Sequence, residues 1–224
     1  MTAALLQAPP APLSAFPSGA RRAEPVLRVL ARRAAETPDL VAVDDGGYLA
    51  TYAELWHAAA RTRRDLVEAG VEPGDVVAIA AGRGTELVAA MLGVWLAGAA
   101  CLPVGPDHLD LSVPDPDEIR AAVVAPGFPA PDGVPAVPIV EVVAAPTEPP
   151  WVAIPDGAAV AVLTWVFGTS GRPVTIRLTH DDLATLLDRC AADPRLAAGP
   201  VVLEFFLPLV LGARLELAPG RPSE

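Results

Sequence analysis

The residues of this chain best suited to chemistry lie in one stretch, Trp165-Val-Phe-Gly-Thr-Ser-Gly-Arg-Pro-Val-Thr-Ile-Arg-Leu-Thr-His180. Its small-residue centre, Gly168, Thr169, Ser170, Gly171 and Arg172, lies between two strand-like runs. Backbone N–H groups and hydroxyls in such a turn make an anion-binding concavity, so these five residues are the candidate nucleotide-phosphate site. Yet the position where a phosphate loop carries an amine is Val174, and all 16 basic residues of the chain are arginine. Phosphate recognition rests on converging donors and positive charge. Phe167 and Val174 put apolar bulk where donors are expected, whereas Thr169 and Ser170 keep their hydroxyls. Arg172 and Arg177 are the nearby cations, and both read equally well as solvent-facing residues at strand ends.

The other chemistry-bearing residues are scattered. His57 falls on a helix and His108 in a loop, each isolated, and His180 reads as a structural residue at a helix start. No Ser–His–Asp order, HExxH or GxSxG is present. Asp115 to Glu118 resembles a solvated helix start more than an acid–base pair. Cys101 and Cys190 have no CxxC spacing and no histidine pair nearby. They read as reduced core residues of a cytosolic protein, and no metal site and no catalytic residue are assigned.

These residues must be positioned by a chain of 224 residues, 52 % hydrophobic, with a net charge of −11. That is enough for one substantial domain with a buried core. The acidity argues against nucleic acid or an anionic membrane as a partner. Leu87 to Val104 is free of charge but reaches only the short end of the roughly 17–25 residues that span a bilayer. Gly98 and Pro103 divide it into a buried helix and a strand.

Residues 1–24, rich in Ala and Pro, read as a disordered N-terminus without a signal peptide, and residues 25–224 as one domain. Helical periodicity begins at Val26 and stops before Thr37-Pro38. Leu40–Val43 and Tyr48–Ala50 flank the turn Asp44-Asp-Gly-Gly47 as a hairpin. Thr51-Tyr-Ala-Glu54 is a capping box for a helix through about Ala69, stopped by Gly70. Asp75–Ala80 is a strand covered on both faces, followed by a helix from Thr85 to Ala97 and a strand to Val104. A short helix near Asp115–Ile119 and a strand at Arg120–Ala125 come next. Eight prolines from Pro126 to Pro150 mark a loop-rich margin with one strand, Ile139–Val143. Ala158–Phe167 feeds the candidate loop, Asp181–Ala191 and Val201–Leu211 are helical, and Ala213–Ala218 is extended. This alternation predicts an α/β fold with a mostly parallel sheet flanked by helices.

In order, these pieces resemble the N-terminal part of the adenylate-forming (AMP-binding) superfamily, in particular nonribosomal peptide synthetase adenylation domains. Thr37-Pro-Asp39 resembles the family's opening, Thr51-Tyr-Ala-Glu-Leu55 its "LTYAEL", and Gly70-Val-Glu-Pro-Gly-Asp75 its "GVGPGD". Glu86 to Val104 resembles "ELVVALLAVLKAGAAYVPL". The phosphate loop "YTSGSTGRPKGVxxTH" falls on Trp165 to His180 without gaps. Gly168, Thr169, Ser170, Gly171, Arg172, Pro173, Thr179 and His180 fit it. Val166, Phe167 and Val174 depart from it, and Thr175 replaces a glycine whose backbone freedom lets the loop close.

Val201 to Ala218 is similar to the family's "WEIFGPLLNGARLVLA", but the aromatic–Asp motif that grips an amino-acid substrate has no counterpart before it. As the sequence ends at Glu224, the family's adenine-contacting "YGPTE", ribose-binding Asp and C-terminal domain with its catalytic lysine are not found. Adenylation needs electrostatic stabilisation of a pentacovalent phosphorus, by Mg²⁺ and cationic side chains. The resemblance therefore implies a truncated, degenerate member, lacking the C-terminal domain, that does not adenylate alone. The expectation is a noncatalytic scaffold or auxiliary protein in nonribosomal peptide biosynthesis, cytoplasmic, without cofactor. Its partner would be a synthetase, an adenylation or carrier protein, or a second copy. Two alternatives stay open: one half of a split acyl- or aminoacyl-adenylating enzyme, with ATP and Mg²⁺ bound only in the completed pair, and a small-molecule binder.

Overall fold

A computed structural model describes residues 23–104, 118–130, 133–146, 150, 153–167, 173–193 and 201–217. Helix α1 (Val26–Glu36) buries Val26, Leu27, Val29, Leu30 and Ala34 along one stripe. The hairpin β1 (Val41–Asp44) and β2 (Leu49–Thr51) follows. Its turn is closed by the Asp45 carboxylate, which accepts from the backbone N–H of Gly47 and of Tyr48. Thr51 and Glu54 form the full reciprocal capping box at the start of α2 (Tyr52–Glu68). Each side chain satisfies an N–H that the first helical turn leaves without a partner. Gly70, with φ 85°, turns the chain out of the helix.

Next come β3 (Val76–Ala80), α3 (Thr85–Leu96) and β4 (Ala100–Val104). All five β3 residues are buried, as a strand packed on both faces requires. Helices α2 and α3 approach closely at Gly93. A Cβ there would stand 2.8 Å from the Ala59 carbonyl oxygen and press on the buried Thr62 side chain. The order continues with β5 (Ile119–Val124), β6 (Ala136–Pro138), β7 (Val160–Phe167) and β8 (Pro173–Thr179), then α4 (His180–Ala192), α5 (Val201–Leu211) and β9 (Leu215–Glu216).

The strands form two sheets. The larger has the order β6-β5-β3-β4-β7-β8, parallel from β6 to β7, with β8 antiparallel at the edge. The smaller has the order β2-β1-β9, in which β9 pairs parallel with β1. One large core cluster joins the helices to one face of the six-stranded sheet. A second, made of strand and loop residues such as Ala78, Leu102, Ala122 and Leu163, lies on the other face. The fold is thus the α/β architecture that the alternation of strands and helices predicts.

One local expectation changes. The strand expected at Ile139–Val143 lies at Ala136–Pro138 instead, in register with Ala122–Val124 of β5. Ile139 makes a last donation to Val124, and the chain then leaves the sheet for α2, where Arg61 donates to the Glu141 carbonyl at 2.7 Å. The alternating valines Val140 and Val142 are buried all the same, in the core cluster that includes α2 rather than in a strand ladder. The helix expected near Asp115–Ile119 lies largely outside the described residues, and Ile119 opens β5. Of the N-terminal segment 1–24, only Ala23 and Glu24 are described, with Glu24 paired to Arg32 at 2.7 Å. Among the described residues, no helix is long and apolar enough to cross a membrane.

Candidate functional site

The candidate loop joins β7 to β8. Pairing of the two strands runs from Val160↔Thr179 through Val166↔Val174 to Phe167↔Pro173. Residues 168–172 are what remains between them, so Gly168, Thr169, Ser170, Gly171 and Arg172 all lie outside the described residues. What surrounds them is informative. β7 runs parallel to β4, so the loop leaves the sheet at the carboxyl ends of its parallel strands, the end at which ligands bind in open α/β sheets.

The ladder extends through the positions that depart from the family's loop, 166, 167, 174 and 175. Their backbones are therefore part of a regular antiparallel hairpin. Arg177 is exposed, and its guanidinium donates to Glu118 at 3.0 Å, beside the beginning of β5. That charge is held toward the opposite end of the sheet.

His180 is also placed away from the loop. Strand β8 carries the chain back along β7, so its seven residues of extended backbone, roughly 20 Å, put His180 at the far end of β8 from Pro173. The imidazole is 2 % exposed and meets the Trp95 ring edge-on, with centroids 5.6 Å apart. Its Nε2 is buried without a hydrogen-bond partner. Burial drives its pKa down to about 4, against a smaller opposing pull from Asp181. Thr179 caps α4 with Asp182 in a second reciprocal capping box. His180 is thus a neutral core residue at a helix start, as its sequence position implies.

Trp95 organises this end of the fold, and sequence reading gave no signal for it beyond its apolar context. Its indole N–H donates to the Ala161 carbonyl at 2.7 Å, and its ring packs on Phe206 with centroids 4.6 Å apart. At the carboxyl end of β3, Arg83 lies over the Phe205 ring at 5.0 Å and pairs with Glu204 at 2.6 Å. The glycines flanking Arg83 are the only sequence hint of that cluster.

Both cysteines are buried and free, and burial pushes the Cys101 thiol up to about 12. His57 lies on α2 and lines a cavity of about 230 Å³ with Glu54, Arg61 and Glu141, while His108 is outside the described residues. A cavity of about 600 Å³ lies between α2 and residues 136–141, and another of about 490 Å³ beside Pro73, Gly98 and Asp156. Neither is lined by β7 or β8. Among the described residues, no group of three His, Cys, Asp or Glu side chains is placed to hold a metal ion.

Comparison with known proteins resolves what this scaffold is. The profile of the AMP-binding enzyme family matches residues 30–113. The chain is 38 % identical over 187 residues to the non-canonical nonribosomal peptide synthetase CymA of Salinispora arenicola, covering 79 % of this chain. The chain belongs to the AMP-binding superfamily. A second relative is phenyloxazoline synthase MbtB of Mycobacterium sp. (strain MCS), 33 % identical over 172 residues and 73 % of the chain.

Solved structures with the same fold include the nonribosomal peptide synthetase FmoA3, at a TM-score of 0.71 and 22 % identity over 92 % of the chain. VinN matches at a TM-score of 0.71 and 18 % identity over 89 % of the chain. The chain spans only part of its relatives, 2 % of CymA and 14 % of MbtB, and 24 % and 60 % of the two solved chains.

Proposed function

We propose that this AMP-binding-superfamily chain is a noncatalytic, adenylation-domain-like protein that works by protein contact, as a scaffold or auxiliary partner in nonribosomal peptide biosynthesis. One observation carries the reading. The β7–β8 ladder runs through positions 166, 167, 174 and 175, in a chain without a lysine to meet a phosphate. Arg177, the cation nearest in sequence on β8, is paired with Glu118, and His180 is remote, buried and neutral. A triphosphate with Mg²⁺ needs converging charge and donors that these residues do not offer, so no cofactor is assigned.

The partner is a synthetase, an adenylation or carrier protein, or a second copy of the chain. Neither nucleic acid nor membrane fits the charge of −11. The setting is the cytoplasm, where two unpaired cysteines stay reduced. Capture of the tagged chain in its native host, with identification of the bound protein, tests the reading. Recovery of a synthetase or carrier protein supports it. ATP–pyrophosphate exchange by the chain alone overturns it.

A second reading rests on the hydroxyls kept at Thr169 and Ser170: another polypeptide supplies the adenine site, the metal-binding acid and the lysine. In that case the pair shows exchange activity that neither chain has alone. The double substitution Thr169→Ala/Ser170→Ala then lowers it by at least tenfold, and unchanged activity rules the reading out.

A further inference from the structure

A shallow apolar cavity of about 170 Å³ opens between α1, α4 and α5, lined by Val26, Val29, Leu187, Ala191, Val210 and Leu211. Leu211 is the most exposed large hydrophobic residue among those described, at 56 %. An apolar void of about 150 Å³ accepts a benzene-sized ring. This cavity therefore has room for one phenyl side chain.

The rim of the cavity includes Ala23 and Glu24, the first two described residues. Of the 22 residues that precede them, Phe16 is the only aromatic one. The seven steps from Phe16 to Ala23 reach at most about 25 Å. Between them, Pro17, Ser18 and Gly19 are residue types that favour a turn. Arg21 and Arg22 would then pass the acidic rim, formed by Glu24 and Asp188. Glu24 already meets Arg32 at 2.7 Å, which leaves Asp188 as the acid to complement them.

We propose that the N-terminal segment Leu13–Phe16 docks on its own chain, with the Phe16 ring seated in the α1–α4–α5 cavity. The tether keeps this occupant at an effective concentration in the millimolar range, so a single ring suffices without high intrinsic affinity. Seated there, the segment covers apolar surface around Leu211 that would otherwise be open to a partner. The inference stands apart from the question of ATP binding, and a failed capture experiment would leave it intact.

Hydrogen exchange on the full chain tests it. Phe16→Ala speeds exchange of the amides at 184–191 and 207–211 about tenfold. With Leu211→Asp already present, Phe16→Ala adds nothing further. Equal protection in Phe16→Ala and the unaltered chain overturns the proposal.

A second measurement does not depend on destabilising variants. A benzoylphenylalanine at position 16, photoactivated in the full chain, crosslinks within one chain to Leu187–Ala191 or Val210–Leu211. Crosslinks elsewhere overturn the proposal. So do crosslinks confined to a dimer whose yield rises with protein concentration, because a second copy is then the occupant.

Discussion

His180 is held neutral by its surroundings, and that has a consequence for stability. Its pKa falls from an ordinary 6.5 to about 4 in the folded chain, chiefly through burial. The unfolded chain therefore takes up the proton first as the pH is lowered. This group's contribution is complete above about pH 6.5, declines as pH falls through the window, and is spent near pH 4. The loss amounts to at most roughly 3 kcal/mol.

Urea unfolding from pH 7 to pH 4 should show that decline, and His180→Phe should flatten it. An unchanged slope in the variant would assign the decline to other groups. At the neighbouring Trp95, replacement by Phe keeps an aromatic ring but leaves the Ala161 carbonyl without its donor. The expected cost is about 1–3 kcal/mol, read from the shift in urea midpoint.

Between elements, the tightest fit is the crossing of α2 and α3. Gly93 lets Ala59 and Thr62 approach the α3 backbone, and any side chain there must push the helices apart. Gly93→Ala should destabilise by about 1–3 kcal/mol even though alanine favours helices, with an unchanged denaturant slope. A stabilised variant would mean that the crossing yields without cost. Thr51→Ala removes the capping box at the other end of α2 and should cost about 1 kcal/mol. The two sites lie on separate contacts, so their effects should add when combined.

At the scale of the whole molecule, the noncatalytic reading predicts indifference to nucleotide. A ligand present at 100 times its dissociation constant stabilises a fold by about 2.7 kcal/mol. Thermal unfolding with 1 mM ATP and Mg²⁺ should therefore match unfolding without them. A rise of several degrees would return the Thr169–Ser170 turn to the status of a binding site. The capping box at Thr51 and the helix stop at Gly70 are local signals in which the deciding partners lie within three or four residues. They were legible in the sequence for that reason. So was the order of strands and helices, because burial on one or both faces imposes its period on the sequence itself.

Sequence alone thus determined the element order, the α/β class and the family kinship, and it marked position 174 as lacking an amine. Tertiary structure decided which residues share an end of the sheet. It set His180 against Trp95 in the core, gave Arg177 to Glu118 and moved the pairing of the proline-rich margin to Ala136–Pro138. It also set β9 beside β1, from the far end of the chain. Those outcomes depend on how strands register across long separations, and no period or cap within a short stretch of residues encodes them.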